Sequence, residues 1–265
     1  MCLLAFAIDE HADFPFIFAG NRDEFHARPT AAAQWWDDAP DVFGGRDLEA
    51  GGTWLGIRRD GRFAVITNYR DPDLKPAGAL SRGELVRRFL ATPMSISDMH
   101  AWLLDDAVRF AGFNLLYGQL QVNNPAGNLW YFSNVLETGP ERLQPGIHGL
   151  SNHLLDTPWP KVVRTRERLA NIISSDEPDH DALLDMLDDP EPADDGDLPA
   201  TGIPLDWERR LSAPKIISGT YGTRAATTLL LDRHGRLSFR ERSFDARGSA
   251  QKDIPARFEL VTMQA

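Results

Sequence analysis

Only one cysteine, Cys2, occurs in the 265-residue chain, which excludes an intramolecular disulfide and any cysteine-rich metal site. A basic stripe is missing too: the formal charge is −11, and phosphate binding needs a cationic face, so nucleic acid is not an expected partner. Long apolar runs are equally absent. None approaches the ~20 residues of a membrane helix, so stable membrane insertion is not expected. The opening MCLLAFAIDEH lacks both a basic region ahead of its apolar run and a small-residue cleavage pattern, so it does not read as a signal peptide. The expected location is cytoplasmic, and nothing in the composition speaks to oligomeric state.

What remains is an ordinary globular balance, 42% hydrophobic and 25% charged, able to bury a sizeable core. Residues 2 to 8 and 14 to 20 are short apolar runs suited to paired buried strands. Asp60-Gly61 and His234-Gly235 are turn dipeptides that tolerate positive φ, and each predicts a hairpin. Two more strands, GFNLLYGQLQV and GNLWYFSN, flank the turn signal Asn123-Asn124-Pro125. Ser81 with Glu84 reads as a capping box ahead of Leu85, Val86, Phe89 and Leu90 at helical spacing, and a second helix follows from Ser95. After Pro160, KVVRTRERLANII places Val162, Leu169, Ile172 and Ile173 near one face with its charges on the other, and HDALLDML forms a short successor.

Strands, then helices, then strands joined as hairpins favour an α+β arrangement of antiparallel sheets with segregated helices. Residues 188–199, DDPEPADDGDLP, form an exposed acidic loop and a weak boundary candidate. A single domain over 1–265 is expected, because neither half alone has enough strands to close a core.

Chemistry concentrates at the start of the chain. Cys2 follows the initiator methionine, and a small side chain there generally permits its removal, which would place a thiol and an α-amine on one residue. The amine titrates near ~8, close enough to neutrality to take the thiol proton and leave the nucleophilic thiolate. Cys2 could instead simply pack at the start of a strand, since free cysteine is often buried. Straight after an apolar run come Asn21, Arg22, Asp23 and Glu24, readable as a functional cluster or as an ion-pair cap on a strand end. A metal site from Asp23, Glu24 and His26 lacks a second histidine at a completing interval, so no metal is expected. Asn68 and Asn152, at a strand end and after a glycine, and Arg224, opening a strand, could each satisfy loop backbone. Together they suggest an amide-lined, arginine-bearing pocket with a thiol inside it.

In order along the chain, NRDEFHARP, GGTWLGI, TNYRDP, SRGELV, FNLLYG, GLSNHLLDTPWPK and YGTR followed by TTLLL and FRERS closely resemble the NRDE-motif family. Its eukaryotic members are called transport and Golgi organisation homologues, and the resemblance runs from Met1 to about Phe258. That family is similar to N-terminal-nucleophile hydrolases, which implies a four-layer αββα sandwich. The pattern most resembles the cysteine branch of bile-salt hydrolases, penicillin V acylases and acid ceramidases, which cleave non-peptide amides. The resemblance implies Cys2 as nucleophile, Arg22 and Asp23 as an early pair, Asn68 and Asn152 as amides and Arg224 as a late guanidinium. The branch usually separates its early Arg and Asp by two residues, so Asn21 and Arg22 remain alternative occupants of one role, with Glu24 fixing the turn.

The implied function is an N-terminal-cysteine hydrolase acting on an amide or acyl bond of a small molecule, without a cofactor. The alternative is a non-catalytic carrier for haem or an acyl-CoA or lipid ligand, as members of the family have been linked to haem handling and lipid metabolism. Trp35, Trp36, Trp54, Tyr69 and Trp159 are candidate walls for either ligand class, or plain core.

Overall fold

In the computed structural model, which describes residues 2–74, 80–121, 128–175 and 177–260, two antiparallel sheets lie face to face. The first contains β1 (Cys2–Ile8), β2 (Phe16–Phe25), β10 (Gly146–Leu150), β11 (Tyr221–Leu231), β12 (Arg236–Phe244) and β13 (Ala250–Glu259). Their order is β10-β1-β2-β11-β12-β13, so the N-terminal strand is internal. In the second, β3 (Thr30–Trp36), β4 (Ala39–Asp47), β5 (Leu55–Arg58), β6 (Arg62–Asn68), β7 (Phe113–Gln119), β8 (Leu129–Ser133) and β9 (Glu141–Arg142) follow chain order.

Side-chain size explains the layering. Alternation along β1 sends Leu4, Phe6 and Ile8 between the sheets, where they meet Phe16, Phe18, Phe63 and Leu116. The other face of β1 carries Ala5 and Ala7, small enough to admit α3 (Pro160–Ile173), with α4 (His180–Leu187) beside it. The outer face of the second sheet is covered by α1 (Gly83–Ala91) and α2 (Ile96–Asp106) through Leu85, Phe89, Met99 and Leu103. The result is the expected α+β, four-layer αββα sandwich, with each fully buried Leu, Ile or Phe contributing about 1.5–3 kcal/mol. A fifth helix, α5 (Leu205–Leu211), follows the acidic loop.

Both turn dipeptides form as expected, with Gly61 at φ 88° and Gly235 at φ 80°. The Asn123-Asn124-Pro125 turn lies outside the described residues. The capping box does not form at Ser81, because Glu84 is held by Arg87 through two contacts of 2.6 and 2.7 Å; α1 instead starts from Arg82 without a side-chain cap. It forms at the next helix, where Ser95 and Asp98 cap each other. Lys161 departs from the expected polar face of α3 and is 1% exposed. The acidic loop is exposed but tied down: Asp188 pairs with Lys215, Asp189 with Arg164 and Arg168, and Asp195 with Arg209. No helix among the described residues is long and apolar enough to cross a membrane.

Candidate active site

Antiparallel pairing of β1 with β2 sets Cys2 directly opposite Arg22. Directly paired residues project their side chains to the same face with Cβ atoms about 5 Å apart, so Arg22 rather than Asn21 stands beside the thiol. One residue away in the pleat, Asn21 faces the outer helices. Its Nδ2 donates to Leu187 O at 3.1 Å and Pro214 O at 2.9 Å, so it anchors the C-terminal end of α4 and does not line the site. Asn21, expected among the substrate contacts, is absent from the cleft lining, with its Nδ2 committed to those two carbonyls.

Cys2 lies in a cleft of about 490 Å³ lined by Arg22, Asp23, Glu24, Trp54, Asn68 and Arg82, among others. The Arg22 guanidinium lies over the Trp54 ring, 4.4 Å from its centroid, and its nearest carboxylate, Glu24, is 3.9 Å away. Trp54 is held by close packing, since a Cβ on Gly45 would sit 2.1 Å from its ring. Thr223 Oγ1 donates to Asp23 Oδ1 at 2.7 Å, and Tyr221 Oη donates to the Asp23 carbonyl at 3.1 Å.

Burial pushes the Cys2 thiol up and raises Asp23 as well. The Asp23 charge adds to the rise of the thiol, while a hydrogen bond from the Asp23 backbone and then the Arg22 charge oppose it. Lys161 approaches Asp23 from α3; burial first, and then Arg70, push its ammonium down to about 8. Its Nζ makes no hydrogen bond among the described residues. Deep between the sheets, burial pushes the Glu241 carboxyl up to about 7, even with the Ala33 N–H donating to it at 2.7 Å.

The two asparagines play different parts. Asn68 ends β6 and lines the cleft. Asn152 is fully buried behind it, and its Nδ2 donates to Asn68 O at 2.9 Å while its carbonyl accepts from Arg70 N at 2.7 Å. Ser151 Oγ donates to Cys2 O at 3.0 Å, and Thr67 Oγ1 donates to Ser151 O at 2.7 Å, so this loop joins the N-terminal strand of one sheet to β6 of the other. A buried side-chain network of this kind fixes geometry at the mouth of the cleft.

Arg224 is not at the cleft. It is the extra residue of a bulge in β11 between Thr223 and Ala225, and it turns outward to donate to Phe25 O, His26 O and Arg28 O. Tyr69 and Trp159 are also absent from the described lining. Both pack against His153, with ring separations of 5.1 and 5.7 Å, and Trp159 lies under the Arg70 guanidinium. Trp35 and Trp36 belong to the core clusters on either side of the second sheet.

Arg82, Lys161, Ser151 and Glu241 were not singled out from the sequence. Arg82 stood in the quoted SRGELV and Lys161 in PWPK, but helical patterning masked both.

The fold and cleft define an α+β protein whose N-terminal strand presents one cysteine to an arginine, a carboxylate and an amide. A sequence model for Transport and Golgi organisation 2 matches residues 1–246, and the chain belongs to that family. It is 33% identical over 258 residues to the Transport and Golgi organization 2 homolog of Mus musculus, covering 92% of this chain and 93% of that protein. The Bos taurus homolog is 34% identical over 277 residues, covering 99% and 98%. Among solved structures, a Caenorhabditis elegans N-acylethanolamine-hydrolyzing acid amidase ortholog superposes with a TM-score of 0.49 at 9% identity, covering 86% of this chain and 92% of that one.

Proposed function

We propose that the protein is an N-terminal-cysteine hydrolase that cleaves an amide or acyl bond of a small molecule. The observation that carries this reading is the pairing of Cys2 with Arg22 at the wall of a cleft that also contains Asp23 and Asn68. Removal of Met1 leaves an α-amine on Cys2, which accepts the thiol proton; Asp23 receives the resulting ammonium, and Arg22 favours the thiolate. The sulfur attacks the carbonyl carbon, and the Asn68 amide donates to the developing oxyanion, an interaction worth about 3 kcal/mol. Asn152 acts through Asn68, as a positioning residue. As the C–N bond breaks, the ammonium gives its proton to the leaving nitrogen. Water then attacks the thioester, loses a proton to the amine, and releases a carboxylic acid and the thiol.

The charged lining supports a small polar substrate over haem or a long acyl chain. Arg22, Asp23, Glu24, Arg28, Asp47, Glu49 and Arg82 all face the cleft, no histidine does, and Trp54, Ile66 and Leu80 are its only large apolar residues among those described. Purified protein incubated with N-acyl amides and acyl thioesters should carry an acyl adduct on Cys2 by mass spectrometry. The adduct should disappear in Cys2→Ala and form more slowly in Asp23→Asn. Turnover that survives Cys2→Ala, or active protein whose intact mass retains Met1, would overturn the mechanism.

A further inference from the structure

We infer that the inner wall of the cleft is an anion subsite, made by Arg22, Arg82 and the first turn of α1, and that the molecule attacked by Cys2 carries a carboxylate or phosphate close to its reacting carbonyl. This rests on the reading of Cys2 as the nucleophile. Three arginines line the cleft, and they differ in what satisfies them. Arg28 is neutralised at the rim by Asp47 at 2.8 Å and Glu49 at 3.2 Å.

Arg22 is 5% exposed, and its Nη1 has no hydrogen-bond partner among the described residues. Its separation of 3.9 Å from Glu24 is too long for a hydrogen bond. Arg82 donates to Gly112 O at 3.2 Å, and the Glu24 charge reaches it across the cleft without forming an ion pair. A buried guanidinium nitrogen without an acceptor, as Arg22 Nη1 is, is costly unless a ligand supplies one, and the planar fork matches a carboxylate or phosphate.

The wall between the two arginines is built from close-packed backbone. Ser81 and Gly83 line the cleft at the start of the nine-residue α1, whose positive dipole end favours an anion. A Cβ on Gly52 would come within 2.5 Å of Gly83 C, and Thr53 N donates to Gly83 O at 3.2 Å. Glycines therefore let the loop and helix meet without side chains filling the space between the guanidinium groups. Arg224, the late guanidinium that the resemblance implied, is not available for this role, because it donates to three carbonyls at the end of β2 and in the loop after it.

The only cysteine provides a test that needs no turnover. Iodoacetate and iodoacetamide alkylate the same thiolate and differ in charge, so the ratio of their rates cancels thiolate content and reads the anion subsite alone. Relative to free cysteine, the ratio on Cys2 should favour iodoacetate and fall with added salt. Arg82→Gln should lower it about tenfold, roughly the factor one charge-assisted bond supplies, and Arg82→Lys should retain part of it. Protection of Cys2 from iodoacetamide by acetate or by inorganic phosphate distinguishes a carboxylate from a phosphate ligand.

A ratio equal to that of free cysteine, or one unchanged in both Arg82 variants, would overturn the subsite. Should Arg82→Gln not fold, the lysine variant and the salt dependence decide the matter. An enzyme that hydrolyses only neutral amides would sink this inference and leave the hydrolase reading standing, whereas an intact ratio without any acyl adduct would do the reverse.

Discussion

Arg70 and Glu208 form a buried ion pair at 2.7 Å, each side chain 5% exposed, which clamps the segment after β6 to α5. The Arg70 guanidinium also covers Trp159, and its backbone N–H holds the Asn152 carbonyl. Removing one partner strands a buried charge. Glu208→Gln should therefore cost about 3–5 kcal/mol in urea unfolding, while Arg70→Met with Glu208→Leu should recover much of the loss. Equal losses for the single and double variants would contradict this account.

The pH dependence of stability should carry a signature of Glu241. Its folded-state value, about 7, lies above the ordinary 4.5, so the stability it contributes is fully present below pH 4.5 and is lost as pH rises through 7. Glu241→Gln removes that titration. The variant should gain on the wild type between pH 5 and 8, by at most about 3 kcal/mol, in denaturant titrations across that range.

Lys161 supplies the opposite slope. Its folded-state value is pushed down to about 8 from 10.5, so its contribution is present above pH 10.5 and is lost as pH falls through 8. Lys161→Met should therefore be more stable than wild type at pH 7, and the advantage should shrink toward pH 10. A constant difference would mean that packing, not charge burial, sets the effect.

Gly45→Ala tests the support under Arg22. The added methyl would lie 2.1 Å from the Trp54 ring, which must move off the guanidinium it now stacks against. Overpacking of this kind costs about 1–3 kcal/mol, and Cys2 alkylation should slow as the ring enters the cleft. Melting temperature and alkylation rate both unchanged would show that Trp54 has room to spare.

Ser151→Ala breaks the link between the Cys2 carbonyl and the loop that holds Asn68. Thermal unfolding should report a loss of about 1–2 kcal/mol, and acyl-adduct formation should fall further than stability alone explains.

Much of this architecture is readable from local pattern. The turn glycines, the α3 and α4 periodicities and the apolar strands of the first sheet all follow from rules that act over a few residues. Strands β3 and β4 carry no such signal, because Thr30 to Asp47 mixes small, aromatic and acidic residues whose burial is decided by the opposite sheet. The motif Asn21 to Glu24 drew notice as a unit, but strand alternation divides it, turning Asn21 toward α4 and Arg22 toward the thiol. Arg224 misled for a related reason: one bulged residue rotates a side chain out of the face its register would assign. Lys161 and Arg82 needed the tertiary structure, since neither burial nor an absent partner is visible along a chain.

The internal position of β1 has a consequence for biosynthesis. During synthesis β1 lacks its second neighbour until residues 146–150 have emerged, so until then the strand that carries the Cys2 thiol has an open edge. Once β10 docks, Ser151 Oγ takes the Cys2 carbonyl, and the strand that carries the thiol is closed on both sides in the same event.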